Sequence, residues 1–593
     1  MNTPTPASAR GGTWLLEDSD SAAIFTPERL TDEHRLMAQT TEEFIRQEVV
    51  PRLDELEQKD WVLARKLLRR CGDLGLLGVS VAEEYGGVDL DKVSSLVVSE
   101  GISAAASFAA TFGAQANLCI LPIALFGTDE QKQAYLPKLV SGELVGAYAL
   151  SESGSGSDAL AAKTTAVKQP DGSWVLNGEK MWITNGGFAD VIVVFAKVDN
   201  EHFTAFIVES SFPGVSAGKE EHKMGLHGSS TTPILLQEAR VPASNVLGDI
   251  GKGHRVALNA LNFGRFKLGA MCAGGCKIAI GQAVHYAAER HQFGQPIASF
   301  GAIRHKVGEM IARTYALESL LYRTAGLIDQ AAQAGDEHDA GAVARAVEEF
   351  AVESSVAKVA GSETLDYVLD ENVQIHGGNG FVRDYPAERA YRDARVNRIF
   401  EGTNEINRLL IPGMLVRRAL KGELGLIPAA KRLQDEILTS TPVPIDVGEA
   451  GPLDDEARAV AAFKKVVLLV LGTAMQTFGQ KLTDEQEVLM GVADLIIDAY
   501  SAESAVLRAQ AAVASGRGDT EWHVDAARVF TASAAQRIEI AARECLAAIA
   551  EGDELRTLLA ALRRVLKVAP VNTVALRRHL AEAAGTKGRY IFG

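Results

Sequence analysis

The chain has 593 residues, 47% hydrophobic and 23% charged, enough to bury large cores in several domains of a soluble enzyme. A net charge of −16 excludes nucleic acid as a general partner but leaves room for a local basic pocket. The five cysteines (Cys71, Cys119, Cys272, Cys276, Cys545) are scattered and odd in number, which points to free thiols in a reducing compartment and to no metal site.

No apolar run reaches the roughly 18 residues of a membrane span. The first twenty residues lack the basic-then-apolar order of a signal peptide, and a flexible segment over 1–29 is expected. Residues 30–144 read as a helical domain. Leu36, Thr40, Phe44, Ile45, Val49 and Val50 form one amphipathic face that stops at Pro51, and Thr128 with Gln131 makes a helix start. From 145 the period changes to that of strands. Trp174–Leu176, an Asn177-Gly178 hairpin turn and a second strand are followed by strand patterns at 191–198, 203–208 and 234–238. Residues 145–255 are therefore expected to form a small β-barrel-like domain inserted between helical parts. Helices return over 256–420, with Ala-rich segments at 268–289, 303–328 and 342–370 long enough for a bundle. A linker is expected over 421–454, Pro/Gly-rich from 438, and a further helical domain over 455–593.

The chemistry centres on Arg398-Ile-Phe-Glu-Gly-Thr-Asn-Glu-Ile406. Phe400 offers Glu401 an apolar wall, which disfavours the carboxylate and raises its proton affinity. Gly402 allows close backbone approach, and Thr403 with Asn404 can cap the helix that follows. That combination suits a general base. Gly154-x-Gly156-x-x-Ala159 has the look of a dinucleotide fingerprint, but Thr164-Thr-Ala-Val reads as a strand where a Rossmann unit needs a helix. Ser151 to Ser157 fit better as a polar loop presenting hydroxyls and N–H groups to a ring and a phosphate. Trp182-Ile183-Thr184 could stack on a flat heteroaromatic or pack a core. Arg290-His-Gln-Phe293 could fork onto a pyrophosphate or answer a helix dipole. Gln374-Ile375-His-Gly377-Gly378 could admit a cofactor or end a helix.

In this order the segments resemble the acyl-CoA dehydrogenase family over about 30–420. With the helical tail, the chain is most similar to the very-long-chain type. The resemblance implies a mainly helical fold with an inserted β domain, and FAD in the cleft between domains, reaching a second subunit of a homodimer. Matched position by position, Tyr148, Leu150, Ser151, Gly156 and Ser157 would line the flavin, and Ser157 would also touch CoA. Trp182, Ile183 and Thr184 would flank the isoalloxazine. Arg290, Phe293, Gln374, Ile375, Gly377 and Gly378 would hold the FAD reaching across from the partner subunit. Thr403, Asn404 and Glu405 fall on flavin contacts, and Asn262, Phe263, Gly264, Arg265, Phe400 and Gly402 on the substrate segment.

Glu401 matches the catalytic base. Some relatives place the base immediately before the arginine aligned with Arg265; here that residue is Gly264. The implied reaction removes a proton beside the thioester carbonyl and passes a hydride to flavin N5, giving a trans-2-enoyl-CoA in fatty acid β-oxidation. Gly113, Ala114 and Ala116 are the small residues expected to deepen the acyl cavity, with long chains favoured. Electrons would go to an electron-transfer flavoprotein; an oxygen-using acyl-CoA oxidase and a non-catalytic assembly relative are the alternatives. A bacterial cytoplasmic location is expected, or a mitochondrial one in a eukaryote, and peripheral membrane contact through the tail is left open.

Overall fold

The computed structural model describes residues 10–334, 340–439 and 451–592. Residues 1–9 of the expected flexible segment and 440–450 of the expected linker lie outside the described residues.

The first helical layer forms where its caps predict. Thr128 Oγ1 accepts from the Gln131 N–H at 3.3 Å and Gln131 Oε1 accepts from the Thr128 N–H at 3.0 Å, opening helix Asp129–Val140. Before it, helix Ala106–Gly113 runs into a π-helical stretch, Ala114–Ile120, and then Leu121–Phe126. Against the sequence expectation, residues 106–126 and 454–484 are each long and apolar enough to cross a membrane. Their apolar windows are 67% and 72% buried inside the fold, so they serve as core helices here.

The β domain holds eight strands: β1 (Gly146–Ala149), β2 (Thr165–Lys168), β3 (Trp174–Thr184), β4 (Val191–Val198), β5 (His202–Glu209), β6 (Val215–Ala217), β7 (Thr231–Val241) and β8 (Val246–Leu247). They pair in the order β6-β7-β3-β2-β4-β5-β8, with β1 parallel to β4. The path ends at β6 and β8 without closing, so the domain is an open sheet and not a barrel. The Asn177-Gly178 hairpin is also corrected. β3 runs straight through both residues with an irregularity in register, because β7 pairs with it on either side. Gly178 is needed there for close approach: a Cβ would sit 2.4 Å from Thr164 Oγ1 on the neighbouring segment. The strand β2 after the glycine pattern agrees with rejecting a Rossmann unit.

Helices Gly253–Glu289, Gly301–Gln333, Ala351–His376 and Asn404–Leu420 build the bundle. The tail adds Leu426–Thr439, Asp454–Phe478, Gln486–Ala514, Thr520–Ile549, Gly552–Val565 and Thr573–Lys587. The first of these is a helix inside the expected linker. Bundle and tail share one continuous hydrophobic core, from Phe266 and Leu320 to Phe463 and Tyr500. Residues 10–29 are not a loose lead-in either. Trp14 and Leu15 are buried in that core, with the Trp14 ring 4.7 Å from that of Tyr500, because their apolar surface fills the seam between bundle and tail.

Ion pairs cross the same seam. Arg508, fully buried, donates to Glu28 at 2.6 Å and to Glu318 at 2.6 Å. Glu318 in turn pairs with Lys277, which also pairs with Glu100. Against the upward push of burial, the charge and hydrogen bonds of Arg508 hold the Glu28 carboxyl at about 2.

Candidate active site

Two consecutive left-handed residues, Glu401 (φ 57°) and Gly402 (φ 77°), turn the chain into helix Asn404–Leu420. A left-handed glutamate costs on the order of 1–2 kcal/mol and persists only where its surroundings over-determine it. Here they do. Arg265 Nε donates to the Glu401 carbonyl at 3.2 Å, and Lys358 Nζ to the Gly402 carbonyl at 2.8 Å. Asn407 Nδ2 reaches the Gly402 and Thr403 carbonyls at 2.9 and 3.0 Å, while Thr403 Oγ1 accepts from the Ile406 N–H and caps the helix.

The turn aims the Glu401 side chain across helix Gly253–Glu289 at Gly264. A Cβ built on Gly264 would lie 2.6 Å from Oε2, 2.7 Å from Cδ and 2.8 Å from Oε1. Any other residue at 264 would therefore displace the carboxylate. Oε2 is buried and has no hydrogen-bond partner within the chain. Burial raises the carboxyl to about 7, outweighing the opposing charges of Arg265 and Lys358. Burial likewise lowers Lys358, to about 8. The Tyr148 hydroxyl is a second buried polar atom without a partner in the chain, and burial pushes it well above the usual tyrosine range, with the charge of Glu401 adding to the rise.

The polar loop after β1 is anchored by a pair that sequence reasoning missed. Glu152 accepts from Lys180 Nζ at 2.7 Å, Thr164 Oγ1 at 2.6 Å and the Lys163 N–H at 2.6 Å. Lys180 Nζ also reaches the Leu150 carbonyl at 3.2 Å, and Ser151 O accepts from the Met181 N–H at 2.9 Å. The loop is thus tied to β3, with Gly156 and Ser157 on its open side. Only the burial of two oppositely charged side chains identifies this pair, and their 28-residue separation hides it from local pattern.

Trp182 sits at an irregularity in β3 with φ 57° and a side chain 57% exposed, so it is presented outward and not packed. Thr184, two residues on, pairs with Thr231. Ile183 between them is buried in the sheet core. Phe263 is buried in a small cluster with Leu121, Ile328 and Phe350, and Ile375 in the main core. Apolar neighbours surround these three side chains. Asn262 Oδ1 accepts from Arg265 Nη1 at 3.0 Å, orienting that guanidinium.

Arg290, Phe293, Gln374, Gly377 and Gly378 are exposed, and the chain does not fold them over Glu401. They share one end of the bundle, where Tyr286 stacks on His376 at 4.2 Å and its hydroxyl accepts from Asn379. Glu405 is exposed in the first turn of its helix.

Beside Phe400 opens an apolar cleft of about 170 Å³. Its small lining residues include Ala106, Ala109 and Ala110, with Leu268, Met271, Glu57 and Arg389 also on its wall. Gly113, Ala114 and Ala116 do not face this cleft; Ala116 lies instead on a smaller cavity with Phe112, Ile120, Leu121 and Lys267.

Comparison with known proteins agrees with this architecture. Acyl-CoA dehydrogenase family models match the N-terminal domain over residues 31–143, the middle domain over 147–239 and the C-terminal domain over 251–414, and a further C-terminal domain model matches 462–564. The chain is 49% identical over 577 residues to a "Probable acyl-CoA dehydrogenase" of Bacillus subtilis (strain 168), covering 96% of this chain and 97% of that protein. It is 36% identical over 510 residues to the human very long-chain specific mitochondrial acyl-CoA dehydrogenase, covering 80% of this chain and 74% of that one. A crystal structure of an acyl-CoA dehydrogenase complexed with FAD from Bacillus anthracis superposes with a TM-score of 0.96 at 48% identity, over 98% of this chain and 100% of that one. With every domain matched in order and the fold shared along nearly its whole length, this chain belongs to the acyl-CoA dehydrogenase family.

Proposed function

We propose that the chain is an FAD-dependent dehydrogenase of long-chain fatty acyl-CoA thioesters, with Glu401 as the base. The observation that carries this reading is the Glu401 carboxyl group: its Oε2 buried and unpartnered, its proton affinity raised to about 7, and its place in the chain next to the Phe400 cleft. A base with that proton affinity matches the operating pH, where removing a weakly acidic C–H proton is most effective. Glu401 takes the proton from the carbon next to the thioester carbonyl, and its backbone N–H is the donor that stabilises the developing enolate. Losing one such donor costs on the order of 3 kcal/mol at comparable sites.

The residues present fit a flavin: the Tyr148 hydroxyl lacks a partner in the chain, Trp182 is presented outward from β3, and the loop after β1 is held open by Glu152 and Lys180. FAD, when bound, supplies the hydride acceptor. Tyr148, Ser151, Trp182 and Thr184 would hold its ring. Arg290, Phe293, Gln374, Gly377 and Gly378 would serve a cofactor reaching from a second copy, which makes a homodimer the working assembly. Small residues lining an apolar cleft favour a long acyl chain, and an electron-transfer flavoprotein is the proposed acceptor.

Anaerobic mixing of the flavin-loaded protein with palmitoyl-CoA tests the reading. Bleaching of the flavin absorbance is expected, with Glu401→Gln keeping FAD and ligand while losing several orders of magnitude in rate. Parental reduction by that variant would overturn the assignment, and steady peroxide formation in air without an added acceptor would point to an oxidase.

A further inference from the structure

The turn that carries Glu401 is tied to the tail by a continuous line of hydrogen bonds. Lys358 Nζ holds the Gly402 carbonyl at 2.8 Å and Asn404 Oδ1 at 2.6 Å. The other end of the Asn404 amide, Nδ2, donates to Glu363 Oε1 at 3.0 Å. Both Glu363 oxygens accept from Arg408, Nη1 at 2.7 Å and Nη2 at 2.8 Å, a two-pronged geometry that fixes both planes. The remaining donor edge of Arg408, its Nε, points the other way and reaches Asp494 Oδ1 at 2.8 Å. Asp494 lies on helix Gln486–Ala514, which belongs to the tail.

Each link constrains the next. A guanidinium is a rigid plane, so a carboxylate on its Nε edge sets the tilt at which its two Nη groups meet Glu363. Glu363 and Lys358 together fix which way round the Asn404 amide sits, Nδ2 toward the carboxylate and Oδ1 toward the ammonium, with Ser362 Oγ bonded at both ends. Lys358 then holds the carbonyl of Gly402, the residue after the base, in its left-handed conformation. Asp494 is partly exposed, and exposed ion pairs contribute little to stability. Its value here lies in direction and not in strength.

We infer that Asp494 is a positioning residue: the tail, beyond packing on the bundle, sets the aim of Glu401 through Arg408, Glu363, Asn404 and Lys358. This rests on the proposed role of Glu401 as the base. A misplacement of the base by a fraction of an ångström is enough to slow the chemical step without changing binding.

The test is single-turnover flavin reduction by palmitoyl-CoA in the full-length holoprotein, with acyl-CoA affinity and FAD content measured alongside. Asp494→Ala is expected to slow reduction about tenfold at unchanged affinity and FAD content. Asp494→Asn, which keeps an oxygen for Arg408 Nε, is expected to lose only about threefold. Asp498→Ala is the control: it breaks a bidentate pair with Arg537 inside the tail, four residues away on the same helix, without touching Arg408. It should reduce at the parental rate. The inference is overturned if Asp494→Ala stays within twofold of the parent, or if Asp498→Ala is slowed as much. Should Asp494→Ala fail to fold, Asp494→Asn decides alone, and a parental rate overturns. Glu401→Gln in the same assay separates the two readings: an inactive Glu401→Gln beside an unaffected Asp494→Ala sinks the relay and spares the base, whereas an active Glu401→Gln sinks the base.

Discussion

Gly264→Ala is the sharpest perturbation the site offers, because it separates the stability of the fold from the aim of the base. A methyl group there would lie 2.6 Å from Glu401 Oε2. Ordinary carbon–oxygen contact begins near 3.4 Å. The carboxylate, at the end of a flexible side chain, must therefore retreat by about 0.8 Å, the difference between those distances. A displacement of about 1 Å at a reacting group costs on the order of a hundredfold in rate. Within the helix the same change is favourable by roughly 1 kcal/mol, since alanine replaces glycine in a helix interior. The variant is expected to melt at or above the parental temperature, bind FAD normally, and bleach its flavin about a hundredfold more slowly on stopped-flow mixing with palmitoyl-CoA. Parental bleaching would refute the reasoning, for it would mean that the carboxylate does not work from the position it occupies over Gly264.

Two further outcomes follow from the electrostatics. With Glu401 raised to about 7, the carboxyl carries its proton below that pH and cannot accept another. The reduction rate should therefore climb about tenfold per pH unit on the acidic side and level off above pH 7; a flat profile from pH 5.5 to 8.5, or one falling with pH, would count against it. Lys180→Met should strand Glu152 as a buried unpaired carboxylate at a cost of about 3–5 kcal/mol, seen as a lower melting temperature and weaker FAD retention. Glu152→Gln in the same background should recover part of the loss. A Lys180→Met protein melting within a degree of the parent would contradict the pairing.

The buried turn at Glu401, the proposed base, was legible in the sequence because its requirements are local. An aromatic before the acid, a glycine after it and a capping Thr-Asn all lie within five residues. The helix start at Thr128 was legible for the same reason. The Asn177-Gly178 turn was misread because pairing with β7 on both sides outweighs local turn preference. Glu152–Lys180 and Arg408–Asp494 were invisible, since partners 28 and 86 residues apart leave no periodic trace. The packed segment 10–29 was missed because its few apolar residues acquire meaning only beside a seam formed hundreds of residues later.

That seam sets a timetable for synthesis. Glu28 and Arg508 are 480 residues apart, yet they meet in the closed interior. At about 5–20 residues per second of translation, the amino-terminal strap waits on the order of half a minute to a minute and a half for its partner to emerge. Throughout that interval Trp14, Leu15 and the bundle face that will receive the tail stay wet, and the nascent protein presents a sticky flank to its neighbours. Cells making this protein in quantity are expected to need chaperones that shield that flank until helix Gln486–Ala514 arrives.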